Sequence, residues 1–151
     1  MAVPGYFGGT NSALDGIARF NYNDSGTTPA PTTLTNWTSI GTTYGVAYQS
    51  DEDTLYAAAY VKRHSALAGS AGAIYQVEGV TGGTFTTTLF TTIPNVGTVP
   101  DNATRGLPAN PIDPSFDPVV FGLVGRAGLG DMEISDDGNT LYVVNLNDRN
   151  V

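Results

Sequence analysis

Tyr44-Gly-Val-Ala-Tyr48, Asp51-Glu52-Asp53 and Thr54-Leu55-Tyr56-Ala57-Ala58 return later in the chain as Gly130-Asp-Met-Glu-Ile134, Asp136-Asp137-Gly138 and Thr140-Leu141-Tyr142-Val143-Val144. Each copy reads as a strand, an acidic turn and a second strand that opens on Thr-Leu-Tyr. A strand pair repeated along one chain is how a β-propeller blade reads, because each four-stranded unit buries its faces against its neighbours. The repeat predicts an all-β fold, a partial β-propeller of about two four-stranded antiparallel blades.

Working outward from the repeat, the strands follow from two-residue alternation. Upstream, Gly16 to Tyr22 places Ile17, Arg19 and Asn21 on one face and Ala18, Phe20 and Tyr22 on the other, ahead of a turn at Asn23 to Gly26. A Pro/Thr-rich connector, Thr27 to Thr32, leads to a strand over Leu34 to Ile40. Between the copies, the Tyr56 strand runs through Val61 to Lys62-Arg63-His64, then a Gly/Ala/Ser loop over Ser65 to Gly72. Strands over Ala73 to Glu78 and Thr84 to Ile93 repeat the earlier Gly16 and Leu34 segments. With the strands of a blade lettered A to D from inside out, the order is C-D, A-B-C-D, A-B. The domain thus divides into a partial blade over 1–43, a full blade over 44–93 and a partial blade over 119–151.

A Pro-rich insertion, Pro94 to Pro118, separates the last two parts. It carries Pro94, Pro100, Pro108, Pro111, Pro114 and Pro118. Proline removes a ladder donor and forces the preceding residue toward extended geometry, so this stretch is expected to be a long loop without regular pairing. The following Val119 to Val124 reads as a strand-like run packing across the top or edge of the next blade.

Composition narrows the function classes. With 14 acidic against 6 Lys and Arg residues and a net charge of -8, the chain lacks the clustered cations that neutralise phosphates, so nucleic acid is not an expected partner. No cysteine is present, which excludes disulfides and thiolate metal sites. No apolar run approaches the roughly 20 residues of a helical membrane span.

The stretches Tyr56-Ala-Ala-Ala-Tyr-Val-Lys-Arg-His64 with Gly72-Ala-Ile-Tyr75, and Val124 through Arg149, resemble a family of large bacterial cell-surface proteins. In that family a propeller-like region accompanies adhesin-type modules of the serine-aspartate-repeat protein B kind. The resemblance covers residues 40–80 and 119–151 and leaves the insertion and the first 15 residues unmatched. It implies an extracellular or cell-surface location and a propeller, and it supplies no catalytic residue. The family pattern continues past Asn147-Asp148-Arg149 into a further strand. The chain is therefore expected either to be a piece of a longer propeller or to accept the C-D start of another copy on its A-B end, closing a ring.

Candidate site residues fall into three groups. Lys62, Arg63 and His64 form a basic strand end that could meet an anion or sugar acid, or simply pair with nearby carboxylates. Asp131 and Glu133 share one face of an inner strand, where paired carboxylates can hold a ligand or a metal or do acid and base work. No carboxylate pair stands at that place in the first copy. Asp51, Asp53, Asp136 and Asp137 crowd oxygen ligands of the kind calcium uses, although Asp-Gly and Gly-Asn also suit a tight hairpin turn. His64 is the sole histidine, so zinc sites and Ser-His-Asp triads have no supporting cluster. Trp37, Tyr44, Tyr48, Tyr60 and Tyr75 could offer sugar-stacking faces or inter-sheet packing.

The expectation is a non-catalytic structural or adhesive module of a bacterial surface protein. Its partners would be protein or carbohydrate at the cell surface, further copies of the chain, or neighbouring domains of a longer chain. A subunit that assembles by strand exchange is the second reading, and a hydrolase using Asp131 and Glu133 the third.

Overall fold

A computed structural model describes residues 1–10, 13–26 and 29–151. Within these, nine strands form three antiparallel sheets, and none closes on itself. The first sheet joins β1 (Ala2–Pro4), β2 (Asp15–Arg19) and β3 (Thr32–Asn36) in that order. The second joins β4 (Thr43–Gln49), β5 (Thr54–Ala59), β6 (Ala73–Glu78) and β7 (Thr86–Thr92), and the third joins β8 (Leu129–Ile134) to β9 (Leu141–Asn145). Sheets of three, four and two strands follow the strand succession expected from the alternation, with β1 added.

The two copies of the repeat pair residue for residue. In the first hairpin Tyr48 faces Leu55, Ala47 faces Tyr56, Val46 faces Ala57 and Thr43 faces Ala59. In the second Ile134 faces Leu141, Glu133 faces Tyr142, Met132 faces Val143 and Leu129 faces Asn145, so even the register irregularity falls at the same step. The bond just beyond each hairpin recurs too: Tyr60 N–H donates to Thr42 O, and Leu146 N–H to Gly128 O.

The hairpins also pack on each other, β8 lying against β4. Gly45 makes this approach possible, since a Cβ there would stand 2.5 Å from the Gly130 carbonyl oxygen. Gln49 Nε2 donates to Gly138 O across the turn end at 2.9 Å. The main core fills the space between and beneath the sheets, with Leu55, Ala57, Val61, Ile74, Val77, Val120, Leu129 and Met132 all buried.

Three segments depart from the sequence expectation. Leu34 to Ile40 is not one strand: β3 stops at Asn36, and Trp37–Ile40 form one helical turn, α1, ended by Gly41. Alternation would point Trp37 and Ile40 to opposite faces, whereas three-residue spacing on a turn buries both. Val119 to Val124 is not a strand either. Val124 N–H donates to Val120 O and Ala127 N–H to Leu123 O, and it is Val120 and Ala127, with Leu123 half-buried, that turn inward. That is helical spacing, which the apolar run concealed. The expected turn at Asn23 to Gly26 lies two residues earlier, where Asp24 N–H donates to Asn21 O and Asp24 Oδ2 accepts from Asn21 N–H. Thr27 and Thr28 of the connector fall outside the described residues.

β1 was not expected. It pairs with β2 through Ala2 opposite Arg19, Val3 opposite Ala18 and Pro4 opposite Ile17. It therefore covers the edge of β2 onto which strand exchange between copies was expected to dock, and such an exchange would have to displace it.

Candidate functional site

β5 ends at Ala59, and Tyr60 and Val61 carry the chain to the turn Lys62 to Ser65, where His64 adopts φ of +66°. The Pro-rich insertion closes over this turn. Its segment Asp101 to Leu107 coils tightly, Asp101 Oδ1 accepting from Thr104 N–H and Asp101 O from Arg105 N–H. That coil aims Arg105 inward. Its Nη2 donates to Lys62 O at 2.9 Å, to Ser65 O at 2.8 Å and to Asp117 Oδ2 at 2.8 Å. Both side chains of this ion pair are fully buried. Asp117 Oδ2 also accepts from the His64 N–H, the Asp117 carbonyl accepts from Arg63 Nε, and His64 Nδ1 lies 2.7 Å from Ser115 Oγ.

Burial alone would raise the Asp117 carboxyl, but the Arg105 hydrogen bond, the His64 N–H and the Arg105 charge outweigh it and hold the group below the usual carboxylate range. The insertion is pinned elsewhere as well. Asn102 mimics a strand, accepting from Leu67 N–H and donating to Leu67 O. Leu107 joins Trp37, Ala66 and Phe7 in a second small core. At the insertion's start, buried Asn145 donates to Pro94 O and Asn95 O.

So fixed, the insertion and the turns after it present large apolar side chains to solvent. Ile112, Phe116 and Phe121 are 86%, 79% and 72% exposed, with Val119 and Val124 also exposed. Arg63 stacks its guanidinium over the Phe121 ring at 5.4 Å, supporting that ring from below.

The basic strand end is therefore engaged within the molecule. Arg63 and His64 hold the insertion, and Lys62 Nζ sits 4.1 Å over the Tyr6 ring. Tyr6 belongs to a corner with Tyr44 and Tyr60, whose rings lie 5.3 Å apart, and burial with these neighbours raises the Tyr6 phenol. The five aromatics picked from the sequence divide. Trp37 and Tyr75 are buried in the two cores, while Tyr44 and Tyr48 are exposed.

Asp131 and Glu133 are exposed on one face of β8, as alternation required, with Met132 buried between them. Each carboxylate accepts from the next backbone N–H, Met132 and Ile134 respectively. No hydrogen bond or ion pair among the described residues joins them to Lys62, Arg63 or His64.

Three carboxylates of the acidic turns accept from nearby hydroxyl and backbone N–H groups. Asp53 takes φ of +49°, and its carboxylate accepts from Tyr48 Oη, Thr81 N–H and Thr81 Oγ1. Asp137 Oδ1 accepts from Ser135 Oγ and Asn139 N–H, and Asp51 Oδ1 from Ser50 Oγ. Among the described residues no three His, Asp or Glu groups converge as a metal would need. A cleft of about 800 Å³ opens between the first two sheets, walled by Phe20, Tyr22, Val46 and Tyr48. Arg19 in its wall donates to Val80 O and Gly82 O and rests over Phe85.

Arg105, Asp117, Ser115 and Tyr6 were not picked from the sequence. One signal was there: Arg105 is the lone cation of the Pro94 to Pro118 stretch, among three aspartates. The chain matches no protein-family model, no curated protein and no solved structure.

Proposed function

We propose that this chain is a non-catalytic interaction module of propeller type, displayed at a cell surface, that grips a protein partner with the apolar crest of its Pro-rich insertion. One observation carries the reading: a loop anchored by a fully buried ion pair holds Ile112 and Phe116 out in solvent, with Phe121 exposed just past its end. Exposed apolar groups on a rigid support mark protein contacts, because a pre-ordered surface loses little entropy on binding. The propeller element is supported by the sheets of three, four and two strands and by the pairwise-matched hairpins stacked at β4 and β8. The surface location is supported by the resemblance of 40–80 and 119–151 to bacterial surface proteins.

The test is selection of a phage-displayed random peptide library on the purified chain. Peptides that bind the wild type and lose at least tenfold on the I112S/F116S variant support the crest as the contact. Selected peptides that bind both proteins equally would refute it.

A further inference from the structure

The hairpin β4-β5 treats its tyrosines differently at its two ends. Beside the acidic turn, Tyr48 Oη donates to Asp53 and Tyr56 Oη to Gln49. At the open end Tyr44 and Tyr60 meet Tyr6 and Lys62. Among the described residues, neither these three hydroxyls nor the Lys62 ammonium has a hydrogen-bond or ion-pair partner. Tyr44 and Tyr6 are 53% and 38% exposed, and Tyr60 and Lys62 are half-buried. The backbone that carries them is fixed. Gly5 N–H donates to Gly16 O and Gly9 N–H to His64 O, on either side of Tyr6. Tyr44 lies within β4, Tyr60 N–H donates to Thr42 O, and Lys62 O accepts from the buried Arg105 Nη2. A ligand arriving here finds its contacts already ordered, so a small contact still yields affinity.

We infer that this corner binds a sugar acid, a pyranose ring that carries a carboxylate. Each part of such a ligand has a counterpart. The apolar face of a pyranose suits an aromatic face, and Tyr44 offers the most exposed ring of the corner. The Tyr44 and Tyr60 rings lie 5.3 Å apart and are inclined at 39°, so the sugar rests across Tyr44 and not between the two. Lys62 Nζ sits 4.1 Å over the Tyr6 ring, whose quadrupole holds the ammonium without neutralising it. Its charge and its N–H donors are left for an anion. Burial, then the Tyr44 and Tyr60 phenols, raise the Tyr6 phenol, so at neutral pH it stays protonated and donates to sugar oxygens. A net charge of -8 opposes polyanions, which leaves a single carboxylate as the match for a single ammonium. A neutral sugar would leave Lys62 unused, and a carboxylate without a ring would leave Tyr44 bare.

The inference adds a carbohydrate contact to the protein contact of the crest, and its test keeps the two apart. The intact chain is applied to an array of glycans bearing glucuronate, galacturonate, iduronate or sialate, each beside its carboxyl-reduced counterpart, and the strongest hit is titrated by calorimetry. The expected result is capture of acid-bearing glycans and loss of capture on reduction. Y44A removes an exposed ring and K62M keeps the aliphatic stem; each should weaken binding about tenfold, while K62R should keep it. If a variant does not fold, the wild type gives a second measurement, in which Tyr44 ring protons should show Overhauser contacts to the sugar ring protons. Equal binding of the reduced glycans, unchanged binding by folded Y44A and K62M, absence of the Tyr44 contacts, or an array on which no acid-bearing glycan is captured would overturn the inference. Glycan binding should survive I112S/F116S, so loss of one contact leaves the other standing.

Discussion

The hairpins β4-β5 and β8-β9 share a register down to their irregular step, yet their second strands differ, β5 lying in the core and β9 half at the surface. Leu55, Ala57 and Ala59 are buried, while their counterparts Leu141 and Val143 are half-buried and Asn145 is a buried polar group. Local sequence thus determines how two strands pair, and neighbouring elements determine what the pair is worth. The insertion ties the two together, gripping the first hairpin's exit through Arg105 and Asp117 and the second hairpin's end through Asn145.

The largest expected effect comes from cutting the first grip. Asp117→Ala leaves Arg105 buried without its counter-charge and should cost about 3–5 kcal/mol in denaturant unfolding. Acid sharpens the point. Because the folded Asp117 carboxyl is depressed, its stabilisation is complete above the unfolded carboxylate value of about 3.9 and is lost as pH falls through the folded value. The stability gap between the wild type and Asp117→Asn should therefore narrow on acidification; a gap constant with pH would mean the carboxylate charge contributes nothing.

Next comes the matched pair at the core. Leu55→Ala should cost about 2–5 kcal/mol and Leu141→Ala about 1 kcal/mol, since the second side chain is only half-buried. Equal losses in chemical unfolding would show that the second hairpin is as well packed as the first. Gly45→Ala forces a methyl group against the Gly130 carbonyl and should cost about 1–3 kcal/mol. Gly130→Ala should cost less, because its Cβ would meet only the side chains of Leu146 and Val144, at 3.2 and 3.3 Å. Asn145→Ala should cost about 1 kcal/mol, as little as Leu141→Ala, since its bonds to Pro94 and Asn95 are long at 3.4 Å and the Asn147 and Asp148 N–H groups it also accepts from lie in exposed residues that water can reach.

Much of the sheet was legible because alternation is local. The strands β4 to β9 stand within two residues of where the residues placed them, and the acidic turns are turns, with Gly138 at φ of +71°. What was not legible depends on contacts distant in sequence. Trp37 and Ile40 leave the strand because a core reaching from Phe7 to Leu107 takes the indole. β1 is three residues long and holds Pro4, so it carries too short an alternation to read. The Arg105–Asp117 pair hid in a segment whose prolines and aspartates read as solvated loop. Lys62, Arg63 and His64 were read as one basic strand end, but their partners in the insertion, Ser115 and Asp117, were not read.

Trp37 gives the molecule an optical reporter. It is the sole tryptophan, buried with Phe7 set edge-on at 6.3 Å, and its small core draws Leu107 from the insertion and Ala66 from the stretch after β5. Emission excited selectively at the indole therefore originates at the root of the insertion. Detachment of that root should appear as a red shift and as access to a soluble quencher, separately from melting of the sheets followed by far-ultraviolet circular dichroism.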